Sequence, residues 1–372
     1  MIFAHAMLRE IYEQPAAIGR TIDLYLDGND LRASVAHNLA QWESPMGEML
    51  IAACGSSRHS GLAAQIMLEA LCGLAVDVEY ASEYSCRCSP DLRQPSIIVL
   101  SQSGETTDTL LALRESNQRG QKTLAITNAP DSSMAREASL SMPLGAGVEV
   151  AIPATKSFTC QLTLLYIVAL YEGFRLRKLD SSALARHISE LRALPNLIDK
   201  QLDGWGDQMK SLAHKYKEST SFLYLARGIH YAIAREGALK MKEASYVHAE
   251  GYPTGELRHG PNALVSDRVP LVVLAMVDPD VPDSVVRYEN TLLLLDEMKQ
   301  QGASVIAVAN TDDERIGALV NDCVLVDPVS EYLLPISEVI PLQLFSYYMA
   351  IEQGVDMDHP RHLTKAVVET RD

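Results

Sequence analysis

The chain is short of positive charge. Its 372 residues carry 32 lysines and arginines against 48 aspartates and glutamates, a formal net charge of −16. Nucleic-acid partners are held through their phosphates by a basic surface, so that class is excluded. An anionic small ligand would have to be held locally, by backbone N–H groups and hydroxyls, because the global field opposes it. The first residues, Met1-Ile2-Phe3-Ala4-His5, lack the basic region and apolar run of a signal peptide. No apolar stretch approaches the roughly 20 residues that span a bilayer; Val269 to Val277 has the length of a buried strand. A cytoplasmic protein with no membrane partner is expected. Cysteine is sparse too, with six scattered at 54, 72, 86, 88, 160 and 323. Cys86-Arg87-Cys88 lacks the second ligand pair of a metal site, so reduced thiols are expected.

What is present is the composition of a globular protein, 47% hydrophobic and 22% charged, long enough for two domains with separate cores. Short apolar runs alternate with longer helical patterns, which predicts α/β architecture with parallel sheets flanked by helices. In the first half, strands are predicted at 48–53, 96–100 and 123–127, with helices at 59–74 and 107–119. The order then recurs: strands at 222–225, 271–277 and 304–308, helices at 232–245 and 285–301. A helical stretch from about 158 to 217 joins the two copies. The division expected is an N-terminal helical segment (1–40), a first module (41–175), a helical linker (176–215), a second module (216–350) and a C-terminal tail (351–372).

Parallel sheets of this kind bind ligands at the carboxyl ends of their strands. After the first predicted strand comes Cys54-Gly55-Ser56-Ser57, and after the next Ser101-Gln102-Ser103-Gly104-Glu105-Thr106, each leading into a helix. Glycine permits a tight turn, and hydroxyls at a helix start either cap it or face outward as donors. A phosphate placed there meets N–H groups, hydroxyls and the positive end of the helix dipole. One such loop reads as a capped helix; two on neighbouring strands point to an anion site. Neither is a P-loop, since no Lys-Ser/Thr pair follows the glycines, nor a dinucleotide G-x-G-x-x-G.

Further motifs run in order along the chain: His5…Glu10-Ile11-Tyr12-Glu13-Gln14-Pro15; Thr155-Lys156-Ser157-Phe158; Gly237-Ala238-Leu239-Lys240-Met241-Lys242-Glu243; Gly255-Glu256-Leu257-Arg258-His259-Gly260-Pro261; and Pro360-Arg361-His362-Leu363-Thr364-Lys365. With the 101–106 loop they resemble the tandem sugar-isomerase (SIS) family, in particular the isomerase half of glucosamine-6-phosphate synthase without its glutaminase half, as in SIS-type glucosamine-6-phosphate deaminases. The resemblance implies two doubly wound, flavodoxin-like modules, a sugar-phosphate ligand, no cofactor and no metal. Ser56, Ser57, Ser101, Gln102, Ser103 and Thr106 would contact the sugar phosphate, with Ile152 and Thr364 beside it. Ala154 stands where the synthase commonly has a serine.

Lys240 and Glu243, three apart on a predicted helix, share one side of it, a spacing that elsewhere marks an exposed ion pair. By resemblance Glu243 is the proton shuttle between the first two sugar carbons, and Lys240 stabilises oxygen charge. His259 opens the pyranose ring and comes from the neighbouring subunit of a homodimer. Lys365, on a C-terminal lid, can form an imine with a ketose carbonyl. The synthase's glutaminase begins with a cysteine directly after the initiator methionine, whereas position 2 here is Ile2 and the synthase-like sequence starts at His5. Chemistry with free ammonia is therefore expected, namely deamination of glucosamine 6-phosphate to fructose 6-phosphate. The enzymatic alternatives are a related phosphosugar isomerase, a fructosamine-phosphate deglycase or an ammonia-dependent aminotransferase. A non-catalytic sugar-phosphate sensor is the alternative of another class, but no helix-turn-helix segment adjoins the modules.

Overall fold

The computed structural model describes residues 3–42, 47–86 and 94–365. Among them are two parallel five-stranded sheets of the same winding. From edge to edge the first runs Ala75–Tyr80, Glu48–Ala53, Ser96–Ser101, Thr123–Thr127, Leu140–Pro143. The second runs His248–Pro253, Ser221–Ala226, Leu271–Ala275, Val305–Ala309, Asp322–Leu325. Numbered along the chain, both orders are 2-1-3-4-5, the flavodoxin-like arrangement. The central strands are buried on both faces, which is why they read as unbroken apolar runs.

The chain divides into two compact units. One comprises Glu13–Pro195 and the C-terminal segment from His362; the other comprises the N-terminal segment through Tyr12 and Asn196–Arg361. The division falls at Pro195, inside the 36-residue helix Ser181–Tyr216. In the first unit Leu50, Ile97, Val99, Leu113 and Met134 form a core between sheet and helices. In the second, Leu223, Leu271, Val273, Leu295 and Val305 do the same. Burying each such side chain contributes about 1.5–3 kcal/mol relative to leaving it in water.

Three differences from the sequence reading have physical causes. Each module has five strands, not three. The edge strands escaped because they are short, as at Leu140–Pro143 and Asp322–Leu325, or carry charge, as Asp77 and Glu79 do in Ala75–Tyr80. A strand with only one neighbour has less to bury, so its sequence is less apolar. The helix Leu334–Glu352 was not anticipated either; it is buried on nearly every side and lies against His230–Ser245, so it has no polar face to mark it. Finally, one segment does reach membrane-spanning length. Lys156–Arg175 is long and apolar enough to cross a bilayer, but 94% of its apolar window is buried, which makes it the central helix of its unit. It packs against Gly55–Cys72 and Gln14–Tyr25.

Cys54, Cys72, Cys86, Cys160 and Cys323 are free thiols. The Cys86-Arg87-Cys88 motif lies partly, and the tail end Glu369-Thr370-Arg371-Asp372 wholly, outside the described residues.

Candidate active site

In the unit built on the first sheet, Ala53 and Leu100 are register partners on adjacent strands, so the two hydroxyl-rich loops leave the sheet side by side. Gly55 starts the helix Gly55–Cys72 with φ +51°, a left-handed conformation that a Cβ strains. Ser57 Oγ accepts from Gln161 Nε2 at 2.9 Å, and Ser60 Oγ donates to Gln161 Oε1 at 3.0 Å, tying this loop to the buried helix.

The second loop closes on itself. Ser101 Oγ lies 2.9 Å from Thr106 Oγ1 and 3.4 Å from Ser103 Oγ. It also accepts from the Gly104 N–H at 3.1 Å, while Ser103 Oγ accepts from the Glu105 N–H at 3.2 Å. Gly104 has φ +66°, and a Cβ there would sit 2.1 Å from Ser132 Oγ. The Gln102 carbonyl accepts from the Asn128 N–H at 3.1 Å, holding the loop's backbone while the Gln102 side chain stays partly exposed.

The helix starts distinguish capping from ligand binding. The residues that cap these two helices are Cys54 and Thr106, and neither makes a side-chain capping bond. Thr106 Oγ1 turns to Ser101 instead. The hydroxyls of residues 101, 103 and 106 therefore converge at a helix N-terminus, where an anion finds donors and a favourable dipole. Replacing Ser101 and Ser103 together by alanine should weaken binding of a phosphorylated ligand by about 3 kcal/mol, roughly a hundredfold, because two donors to a charged group are lost. Calorimetric titration checks this, and an unchanged Kd would remove the loop from the site.

Lys365 belongs to the same unit. Its Nζ donates to Glu149 Oε2 at 2.7 Å and to the Ala151 carbonyl at 2.6 Å. Glu149, fully buried, accepts from the Thr155 and Ser157 N–H groups at 3.1 and 3.0 Å and from Ser157 Oγ at 2.7 Å. Burial pushes its carboxyl upward, but the Lys365 ammonium and the Ser157 donors outweigh that and hold it below the ordinary range. Ile152 follows Ala151 in this loop and is half-buried, and Thr364 is exposed beside Lys365. At the start of the buried helix, Lys156 pairs with Glu13 at 2.5 Å.

The other unit holds Lys240, Glu243 and His259. Lys240 is buried on the helix His230–Ser245, in contact with Glu243 one turn ahead and 3.4 Å from Glu236 one turn behind. Burial would lower its pKa, but the carboxylates of Glu243 and Glu236 reverse the direction and raise it. The pair is thus not the exposed ion pair its spacing commonly signifies. Its lysine is sealed in, while the Glu243 side chain is 24% exposed. His259 is exposed at the end of the 3-10 turn Thr254–His259, just before Gly260.

The structure therefore brings Ser101, Ser103 and Thr106 into one cluster and Lys240 and Glu243 into another. It adds two residues that the sequence reading missed, Glu149 and Glu236. Glu236 lay four positions before Lys240, a spacing that could have flagged it; Glu149 is 216 residues from its lysine and had no local signal.

The doubly wound sheet occurs twice, and in the first copy a hydroxyl-lined turn stands at the strand ends, which defines a duplicated α/β module. The chain belongs to the SIS domain family, which matches residues 45–171 and 215–353. It is 39% identical to a glutamine–fructose-6-phosphate aminotransferase (isomerizing) of Synechocystis sp., covering 98% of this chain and 59% of that protein. The chain thus spans about three-fifths of the length of that relative. Among solved structures, it resembles the C-terminal domain of glucosamine-fructose-6-phosphate aminotransferase from Francisella tularensis, with a TM-score of 0.87 and 34% identity over 96% of this chain and 99% of that one. It shares its fold with the glucosamine-6-phosphate deaminase of Thermotoga maritima, with a TM-score of 0.72 and 24% identity over 98% and 100% of the two chains.

Proposed function

We propose that the protein is an isomerising amino-sugar-phosphate enzyme that converts glucosamine 6-phosphate to fructose 6-phosphate and ammonia. The observation that carries this reading is the Glu236–Lys240–Glu243 stack, in which a buried ammonium faces a partly exposed carboxylate. Aldose–ketose interconversion needs one base that reaches two adjacent carbons, and a carboxylate fixed at one end by a buried lysine suits that task. The hydroxyl cluster at 101–106 supplies a seat for the sugar's phosphate.

In this reaction His259, contributed by the second chain of a homodimer, opens the pyranose ring. Glu243 takes the C2 proton and returns it to C1, while the amino group gives up one proton and O1 gains one, so the double bond moves from C1–O to C2–N. Water adds to the resulting C2 imine, and ammonia leaves. Lys240 offsets the negative charge that builds on oxygen during the transfer, and Lys365 closes over the sugar. Similarity to the aminotransferases favours one further reading, the same equilibrium run toward glucosamine 6-phosphate with free ammonia.

The test is ammonia release from glucosamine 6-phosphate by the purified chain, followed with a coupled enzyme. Release together with fructose 6-phosphate is expected, and slow synthesis of the amino sugar at high ammonium, since a catalyst accelerates both directions. Product formed from fructose 6-phosphate and glutamine would overturn the deaminase reading.

A further inference from the structure

Glu149 sits in the loop between the strand Leu140–Pro143 and the helix Lys156–Arg175, with its carboxylate buried. Its two oxygens divide the work. Oε1 takes the backbone N–H groups of Thr155 and Ser157, as a carboxylate does at a helix N-terminus. Oε2 takes Ser157 Oγ and the Lys365 ammonium. Capping the helix requires only the first oxygen, so the second is committed to a lysine from the far end of the chain. A buried carboxylate is costly unless it is paired, and this one gains its cationic partner only when the C-terminal segment is docked.

Lys365 is constrained in turn. An ammonium has three N–H donors, and Glu149 Oε2 and the Ala151 carbonyl occupy two. The third is left for a ligand. Ala151 adjoins Ile152, so the same loop that receives the lysine carries a residue expected beside the sugar.

We infer that Glu149 is the positioning residue for Lys365: it docks the C-terminal segment through one carboxylate oxygen and fixes the direction of the lysine's amine, leaving one N–H for substrate oxygen. The inference rests on the reading of Lys365 as a site residue. It adds that Lys365 is placed by a buried partner, not by the tail alone.

The first part of the test needs no sugar. Trace acetylation of the whole chain, read at each lysine by mass spectrometry at one fixed pH, reports how freely each amine is released from its partners. In the wild-type chain Lys365, its amine held by Glu149 and the Ala151 carbonyl, should label about tenfold more slowly than the exposed Lys242. Glu149→Gln keeps the size of the side chain and an oxygen for the helix, but removes the charge. Lys365 should then label about tenfold faster, because its charge-assisted hydrogen bond becomes a neutral one, and trypsin should cut after it sooner. Ser157→Ala, which removes a donor to Glu149 without touching the lysine, should leave Lys365 labelling as in wild type. Glu149→Asp should fall between. If Glu149→Gln does not fold, the Asp variant and the wild-type ratio still decide the matter. With glucosamine 6-phosphate, Glu149→Gln and Lys365→Ala should lose turnover to a similar degree, and the double variant should be no worse than Lys365→Ala, because one residue acts through the other. Wild-type Lys365 labelling like that of Lys242, no change in Glu149→Gln, or losses that multiply would overturn the inference. Labelling as expected from a chain that turns over no amino-sugar phosphate would leave the positioning role intact and sink the proposed reaction instead.

Discussion

Glu243→Gln should lose about a thousandfold in turnover of glucosamine 6-phosphate while its affinity for the sugar changes by less than about 1 kcal/mol. The amide occupies the same space but cannot accept the C2 proton that the proposed reaction moves. Lys240 keeps Glu236 as its second carboxylate, 3.4 Å away, so the helix should hold its shape. Steady-state rates and titration of the ligand separate the two effects. A variant that retains more than a tenth of wild-type turnover would remove Glu243 from the central step. A matched fall in affinity and rate would recast it as a binding group.

Lys240→Met should be the most damaging single change to stability. The lysine is fully buried and faces two carboxylates, one of them, Glu236, fully buried as well. Methionine fills the volume but leaves negative charge in the interior without the ammonium set against it. Breaking a buried ion pair from one side costs about 3–5 kcal/mol, a large share of the roughly 5–15 kcal/mol that holds a domain folded. Urea unfolding checks this through the shift in midpoint. Adding Glu236→Gln should recover part of the loss, since a neutral pair is less costly than a lone buried charge. Failure of that second change to recover anything would mean that Lys240 stabilises by packing alone. The pH dependence follows from the direction of the shift. The folded-state pKa of Lys240 is raised, so its contribution is present in full below the ordinary lysine value of about 10.4 and is lost only as alkali passes the higher folded value. Wild type and variant should therefore differ by a constant amount near neutrality and converge in strong alkali.

The two hydroxyl loops were legible because strand-end chemistry is local. Ser101, Ser103, Gly104 and Thr106 sit within six residues, and the strand before them and the helix after them place them at the carboxyl end of the sheet whatever else the chain does. The central strands were legible for a related reason: burial on both faces leaves an unbroken apolar run. Edge strands and the helix Leu334–Glu352 were not, since their burial is set by what covers them, and a partly covered strand or wholly covered helix carries no clear period.

By itself, then, the sequence determined the alternation of strands and helices, the repeat, and the residue types that can hold a phosphate or move a proton, because each of these is written in short stretches of chain. Only the tertiary structure decided what those residues face. It buried Lys240 between two carboxylates, turned Thr106 toward Ser101 and away from its own helix end, and joined Lys365 to Glu149 across 216 positions of sequence. Charge, burial and hydrogen-bond partners are properties of neighbours in space, and for these side chains the neighbours that matter are chosen by the fold.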